Sequence, residues 1–194
     1  MLEGFPALTH TKNQPARQVA FLAGYLCHLQ ADWIWIVDIF LPVFGHQNSW
    51  GAASYRLYLH NVLRAYLDRQ ILETLPVQTG SLLRGVVPRQ WLPFVQDRHL
   101  KQWRDFLWPQ LSPGAGSLTV EVFADRLGIS PEEFHRLLDS EAHMEREVFV
   151  HLARQRLLDY HQRLLEENIL LLKHYLQDLP AGQAGFSMAG VIAP

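Results

Sequence analysis

The sequence predicts an all-α fold, a multi-helix bundle with a long buried first helix and a long C-terminal helix. Over most of the 194 residues, apolar positions recur every three or four residues, which is the period of an amphipathic helix. Prolines and short Gly/Ser-rich stretches separate these periodic segments, as expected of helix ends and connections. No pair of alternating runs around a tight turn, which would indicate a β-hairpin, is present.

Composition predicts a soluble, cytoplasmic protein. Hydrophobic residues make up 48% and charged residues 19%, and the formal net charge of −2 gives no general attraction to nucleic acid. The range 19–44 is the one candidate membrane span. Four polar residues interrupt it: His28, Gln30, Asp32 and Asp38. We therefore expect no transmembrane segment and no nucleic-acid partner.

The first half of the chain predicts two long helices. Pro15 can occupy a first helical position, and the apolar pattern that follows runs to Phe40, before Pro42 ends it. Asn48 or Ser49 is the predicted cap of the second helix, in which tyrosines, leucines and valines repeat at helical spacing until the proline at position 76.

The second half predicts a broken helical region and then a longer one. Prolines at 88, 93 and 109 divide the third region. We predict a helical core over 1–111, a linker over 112–118, a helical hairpin and long helix packing on the core over 119–179, and a disordered tail over 180–194. In the hairpin, Thr119 and Ser130 are the predicted caps and Gly128 the predicted turn.

His28 and Asp32 are the candidate functional pair of the first helix. Their four-residue spacing places them about 40° apart at the edge of the apolar face, so we expect them to be buried or at the wall of a cleft. A buried carboxylate costs several kcal/mol unless it is paired or binds a metal. Two interpretations stay open: a self-satisfied polar pair, or two ligands of a zinc ion.

A second candidate set follows on the second helix, where His60, Arg64 and Asp68 are spaced by four. They form either a solvated face with an Arg64–Asp68 ion pair or a polar face turned toward a cleft, with Arg64 receiving a phosphate.

The stretch "AFLAGYLCHLQADWIWIVDIFLPVFG", followed by "LHNVLRAYLDRQ", resembles the bacterial zinc-dependent phospholipase C-like family over residues 19–75. The resemblance implies an all-α protein with zinc ions held among helices, and it makes His28 and Asp32 a ligand pair. Asp38 occupies the place of a family histidine ligand. His60 stands where the family has the histidine of a His-x-x-x-Glu pair, but Arg64 replaces the glutamate and cannot bind a metal.

The resemblance also implies ligands upstream of the pair. Only 27 residues precede His28, and His10 is the only histidine among them. We therefore expect this chain to lack the family's first part and to hold at most one zinc ion.

Two functions follow. The first is a metal-dependent phosphoester hydrolase in which a metal-bound water attacks phosphorus and Arg64 contacts the phosphate. The second is a non-catalytic helical domain that acts through protein partners, with His28 and Asp32 as a structural pair and a homodimer as one such assembly.

Overall fold

The computed structural model describes residues 4–177, and within that range every regular element is a helix. Two short 3-10 turns come first, Pro6–Thr9 and Thr11–Asn13. The α-helices are α1 (Ala16–Trp35), α2 (Ala53–Leu72), α3 (Thr79–Arg84), α4 (Asp97–Gln110), α5 (Thr119–Leu127), α6 (Pro131–Leu138), α7 (Glu141–Met144) and α8 (Arg154–Leu176). π-helical segments, Ile36–Phe44 and Glu145–Phe149, continue α1 and α7. The predicted all-α multi-helix bundle is confirmed.

The two longest α-helical stretches, α1 with its π-helical extension and α8, pack side by side in antiparallel order. Arg163 of α8 donates to both carboxylate oxygens of Asp38, at 2.8 and 2.9 Å. Further along α8, Glu167 accepts a hydrogen bond from Gln30 at 2.9 Å. Residue numbers therefore rise on one helix as they fall on the other, which makes the pair antiparallel. The same contacts fix the register of the two helices.

Buried apolar side chains form two clusters. The larger one joins the π-helical extension and α2 to α5–α7 and the start of α8. Its fully buried members include Ile34, Ile39, Leu59, Leu63, Phe134 and Met144. The smaller cluster joins the first half of α1 to the N-terminal 3-10 turns, the loop near Leu92 and the end of α8. Burial of each such side chain contributes roughly 1.5–3 kcal/mol, so the helices after residue 118 are tied to α2 through the larger cluster.

The first helix does not stop at Pro42. It continues through that proline to Phe44 with π-helical hydrogen bonding, and the chain turns extended at Gly45. A proline lacks the N–H for an i→i−4 bond and its ring clashes with the preceding turn. The wider π turn accommodates such a defect. The predicted helix end was therefore wrong.

The predicted cap of the second helix was also wrong. α2 begins at Ala53 and has no side-chain cap. The Asn48 side chain instead donates to the carbonyls of Leu41 and Gly45, both at 3.2 Å, and so completes the end of the first helix. The buried Arg56 holds the intervening loop by donating to the carbonyls of three residues, Phe44, Trp50 and Gly51.

Two of the three residues predicted to shape the hairpin after residue 118 have the predicted role. Ser130 caps α6 by accepting from the backbone N–H of Glu133, and Gly128 adopts the left-handed conformation after α5, with φ of 66°. Thr119 is the first residue of α5 and not its cap. Residues 112–118 connect α4 to α5, and the predicted tail over 180–194 lies outside the described residues.

The range Ala16–Phe44, with 29 residues and a mean hydropathy of 1.3 in its most apolar 18-residue window, is long and apolar enough to cross a membrane by length and composition alone. Only 22% of its most apolar window is buried. Core helices of soluble proteins can meet the same two criteria, and this one forms the polar contacts with α8 described above. The expectation of no transmembrane segment stays a prediction.

Gly80 provides a test of the packing between α3 and α4. A Cβ at this position would lie 2.7 Å from the carbonyl oxygen of Trp108 and 2.9 Å from that of Leu111. Because backbone atoms cannot move aside easily, we expect Gly80→Ala to lower the free energy of unfolding by about 1–3 kcal/mol. Urea unfolding measures this change.

Gly24→Ala is the matched control, because nothing lies within 4 Å of its Cβ position in α1. We expect that variant to be more stable by about 0.5–1 kcal/mol. Equal effects of the two substitutions would contradict the described α3–α4 contact.

Candidate binding cleft

A cleft of about 500 Å³ opens between α1, the π-helical extension, α2 and α8. Its volume is in the range of small-molecule sites. Its lining residues are Ala31, Asp32 and Trp35 of α1, Ile36 and Phe40 of the extension, Leu57, His60, Asn61, Arg64, Leu67 and Asp68 of α2, and Tyr160 of α8. On α2 these positions recur every three or four residues, so one face of that helix forms a whole wall.

One hydrogen bond joins the two walls at the inner end of the cleft. The indole N–H of Trp35 donates to Nε2 of His60 at 2.8 Å. Three aromatic rings surround the imidazole, with centroids 5.8 Å away for Trp35, 4.9 Å for Phe40 and 5.4 Å for Phe44. His60 is only 7% exposed, so it belongs to the core as much as to the cleft.

This environment keeps His60 neutral. Burial disfavours the imidazolium, and the positive charge of Arg64 adds to the effect, so the pKa of His60 falls to about 4. The bond from Trp35 requires an unprotonated Nε2, which assigns the ring proton to Nδ1. Nδ1 is buried without a hydrogen-bond partner among the described residues. The ring is therefore an uncharged structural acceptor at neutral pH.

The polar edge of the cleft combines one cation with two carboxylates. Arg64 is exposed, its guanidinium lies 4.8 Å from the ring centroid of Phe123, and within residues 4–177 it forms no ion pair. Asp68 accepts a hydrogen bond from the Thr119 hydroxyl at 2.6 Å and forms no ion pair with Arg64, so that alternative is wrong. Asp32 lines the facing wall.

Two further polar groups face this space. The Asn61 side chain is buried, lines the cleft and has no hydrogen bond within the described part of the chain. Tyr160 closes the side formed by α8. Burial raises the pKa of its hydroxyl, and the carboxylates of Asp32 and Asp38 raise it further.

Three of the five residues predicted from the sequence meet at the cleft: Asp32, His60 and Arg64. His28 lies beside Asp32, with Nε2 3.4 Å from Oδ2, but it does not line the cleft, and both side chains are 63% exposed. Of the two expected positions, burial or the wall of a cleft, burial is wrong for both residues, and the cleft wall is confirmed for Asp32 and not for His28. α8 covers a different side of α1, so the pair faces solvent at the mouth of the cleft.

Asp38 is likewise separated from Asp32. Nη1 of Arg163 donates to both oxygens of the Asp38 carboxylate, while Nε of the same guanidinium donates to Glu167.

The predicted zinc ligands do not fit together as one centre. Residues 4–177 contain no group of three or more His, Cys, Asp and Glu side chains placed to hold a metal ion. His60 uses Nε2 for the indole of Trp35, and Asp38 is neutralised by Arg163. Of the predicted ligands, only Asp32 and the adjacent His28 have exposed side chains that could bind a metal ion. Two ligands are fewer than the four that structural zinc usually has.

Sequence reasoning missed Asn61 and Tyr160 as cleft residues, and it placed Trp35 only among tryptophans expected in the core or at a cleft wall. Asn61 could have been found, because it shares the three-to-four-residue spacing of His60, Arg64 and Asp68 on α2. Trp35 and Tyr160 carry no such signal, since their roles depend on how α1 and α8 pack.

No family model, curated protein or solved structure matches this chain. The resemblance of residues 19–75 to the zinc-dependent phospholipase C-like family therefore stays a prediction, and of what it implies only the all-α fold is confirmed.

The lowered pKa of His60 predicts a pH-dependent stability. The unfolded chain binds a proton at this residue below a pKa of 6.5, whereas the folded chain does so only below about 4. The contribution of neutral His60 to the free energy of unfolding is thus fully present above pH 6.5 and is lost as the pH falls toward 4. At about pH 5 the loss is on the order of 2 kcal/mol.

Urea unfolding at neutral pH and at about pH 5 checks this prediction in the wild type and in His60→Gln. We expect the variant to lose less stability on acidification, because it lacks the titrating ring. If His60→Gln loses as much stability between the two pH values as the wild type does, His60 is not the group responsible for the pH dependence.

The ligand geometry also predicts the outcome of a metal analysis. Purified wild type, dialysed after zinc addition, should retain far less than one equivalent by elemental analysis, and His28→Ala/Asp32→Ala should not differ from it. Stoichiometric zinc that disappears in the double variant would instead establish the metal site that the resemblance implies.

Proposed function

We propose that the cleft binds a small amphipathic molecule whose polar end carries an anionic and a cationic group. The observation that carries this proposal is the guanidinium of Arg64, which forms no ion pair within residues 4–177, although Asp32 and Asp68 line the same largely apolar cleft. Ligand pockets commonly combine such apolar walls with a few placed polar groups.

The apolar part of the ligand is recognised by burial. Trp35, Ile36, Phe40, Leu57 and Leu67 line the cleft from both walls. Each apolar Å² removed from water contributes roughly 25 cal/mol, so a chain of several methylenes gains most of its affinity here. The neutral ring of His60 adds no charge that would oppose this burial.

The anionic part is recognised by Arg64. A guanidinium binds carboxylate or phosphate with two parallel hydrogen bonds, and within residues 4–177 no carboxylate is paired with Arg64. A phosphoester is the anion that the sequence resemblance implies. Asp32 and Asp68 carry two negative charges against the single charge of Arg64, which favours a ligand that also brings a cation.

The proposal is binding and not hydrolysis. Hydrolysis of a phosphoester requires a water activated by a metal or a general base. The described residues supply no three-ligand metal centre, and the Nε2 lone pair of His60 is occupied by Trp35. The hydrolase that the resemblance implies stays a prediction, as does action through protein partners.

Three probes with the same tail test the charge requirement: hexylphosphocholine, hexyl phosphate and hexyltrimethylammonium. Isothermal titration calorimetry should give the tightest binding for the zwitterion. Arg64→Gln should weaken binding of the two phosphate probes about tenfold or more, as expected for the loss of one charged bidentate contact. The cationic probe should bind Arg64→Gln no more weakly than wild type.

Arg126→Gln is the matched control, because Arg126 is exposed on α5 and does not line the cleft. It should bind all three probes as the wild type does. Binding that is unaffected by Arg64→Gln, or equally strong for all three probes, would contradict the proposal.

A further inference from the structure

A second surface stands apart from the cleft. We call residues 79–110, which contain α3, the connection after it and α4, the α3–α4 segment. α4 has no buried residue, and α3 buries only Gly80. The large apolar residues that this segment leaves exposed are Leu82, Val87, Phe94, Trp103, Phe106 and Leu107. Such a concentration of exposed apolar side chains usually marks an interaction surface.

Charge is distributed unevenly between this segment and the rest of the chain. The α3–α4 segment contains five Arg and Lys against two Asp, for a net charge of +3. The remaining residues contain 12 Arg and Lys against 17 Asp and Glu, for a net charge of −5. The small net charge of the whole protein therefore conceals a basic segment on an acidic body.

Four of these five cations have no carboxylate partner within residues 4–177. Arg84 lies over the ring of Trp108, and Arg98 contacts the ring of its neighbour His99. Arg89 and Lys101 are exposed and form no ion pair there. The fifth, Arg104, is paired with Asp105 and donates to a backbone carbonyl. The positive charge is thus available to an external anion.

Aromatic groups stand on the same helix as these cations. Trp103 is 59% exposed, and its ring centroid lies 5.5 Å from that of the exposed Phe106. Arg98 precedes Phe106 by eight residues, about two turns, and Lys101 precedes Trp103 by two residues, on a different face of α4. Helices that combine basic side chains with exposed Trp, Phe and Leu lie in the interface of anionic membranes, where the rings enter the headgroup region.

We propose that the α3–α4 segment docks on the surface of a bilayer that contains anionic lipid. Cations without internal partners supply attraction to the headgroups, and the exposed aromatic and aliphatic side chains supply insertion. The aliphatic residues Leu82, Val87 and Leu107 favour a lipid surface over a nucleic acid, whose bases are recognised by aromatic stacking and hydrogen bonds. The surface is independent of the cleft and of its proposed ligand.

Vesicle co-sedimentation of the full chain tests this inference. We expect binding to phosphatidylcholine vesicles that contain phosphatidylglycerol, little binding to phosphatidylcholine alone, and loss of binding at high salt. Arg98→Glu/Lys101→Glu should reduce binding about tenfold or more, since two attractive charges become repulsive. Arg126→Glu/Arg156→Glu, the same change at exposed arginines of α5 and α8, should bind more tightly than that variant.

Insertion is tested by two tryptophans of similar exposure. Trp103 of α4 and Trp33 of α1 are 59% and 63% exposed. Trp103→Ala should weaken vesicle binding several-fold, and Trp33→Ala should leave it unchanged. Circular dichroism and urea unfolding confirm that each variant is folded.

The proposal would be overturned by no binding of the wild type to anionic vesicles, by equal binding to neutral vesicles, or by a larger loss from Trp33→Ala than from Trp103→Ala. The last would assign membrane contact to α1. Binding of a single-stranded polynucleotide in preference to anionic vesicles would assign the basic segment to nucleic acid.

Discussion

The hydrogen bond from the Trp35 indole to Nε2 of His60 is the contact on which the rest of the cleft depends. It joins the end of α1 to the middle of α2 at the border of the larger apolar cluster. The rings of Phe40 and Phe44 pack around the imidazole, and Trp35, Phe40 and His60 also line the cleft. Because the acceptor is an imidazole, the contact exists only while that ring is neutral. Burial among aromatic rings maintains this state at neutral pH.

The same constraint sets the chemistry of the cleft. Because His60 is neutral and its Nε2 accepts from Trp35, it can act neither as an exposed base nor as a free metal ligand. Electrostatic interactions with a ligand therefore depend on Arg64, Asp32 and Asp68. These three groups lie toward the mouth, where water screens them, while the inner walls are apolar. This division between a charged mouth and an apolar interior is the reason to propose an amphipathic ligand.

Sequence patterns predicted the all-α fold, the Ser130 cap and the Gly128 turn, because each of these depends on local spacing. They also placed His60, Arg64 and Asp68 on one face of α2, which the structure turns toward the cleft. Of the predicted pair, Asp32 lines the cleft wall, but neither His28 nor Asp32 is buried; α1 is apolar nearly all round, and its sequence does not show which side α8 covers. The sequence around Asp38 does not show that its carboxylate pairs with Arg163, which comes 125 residues later. The spacing of apolar residues did not indicate that the first helix would continue through Pro42 as a π-helix.

The protonation state of His60 tests this account most directly. Nitrogen-15 NMR of the imidazole, assigned by comparison with His60→Gln and recorded at about pH 6, reports which ring nitrogen carries a proton. The account predicts a neutral ring with the proton on Nδ1 and an unprotonated Nε2 that accepts from Trp35. An imidazolium at that pH, or a neutral ring with the proton on Nε2, would contradict it, because neither form can accept the indole hydrogen bond that joins the two walls.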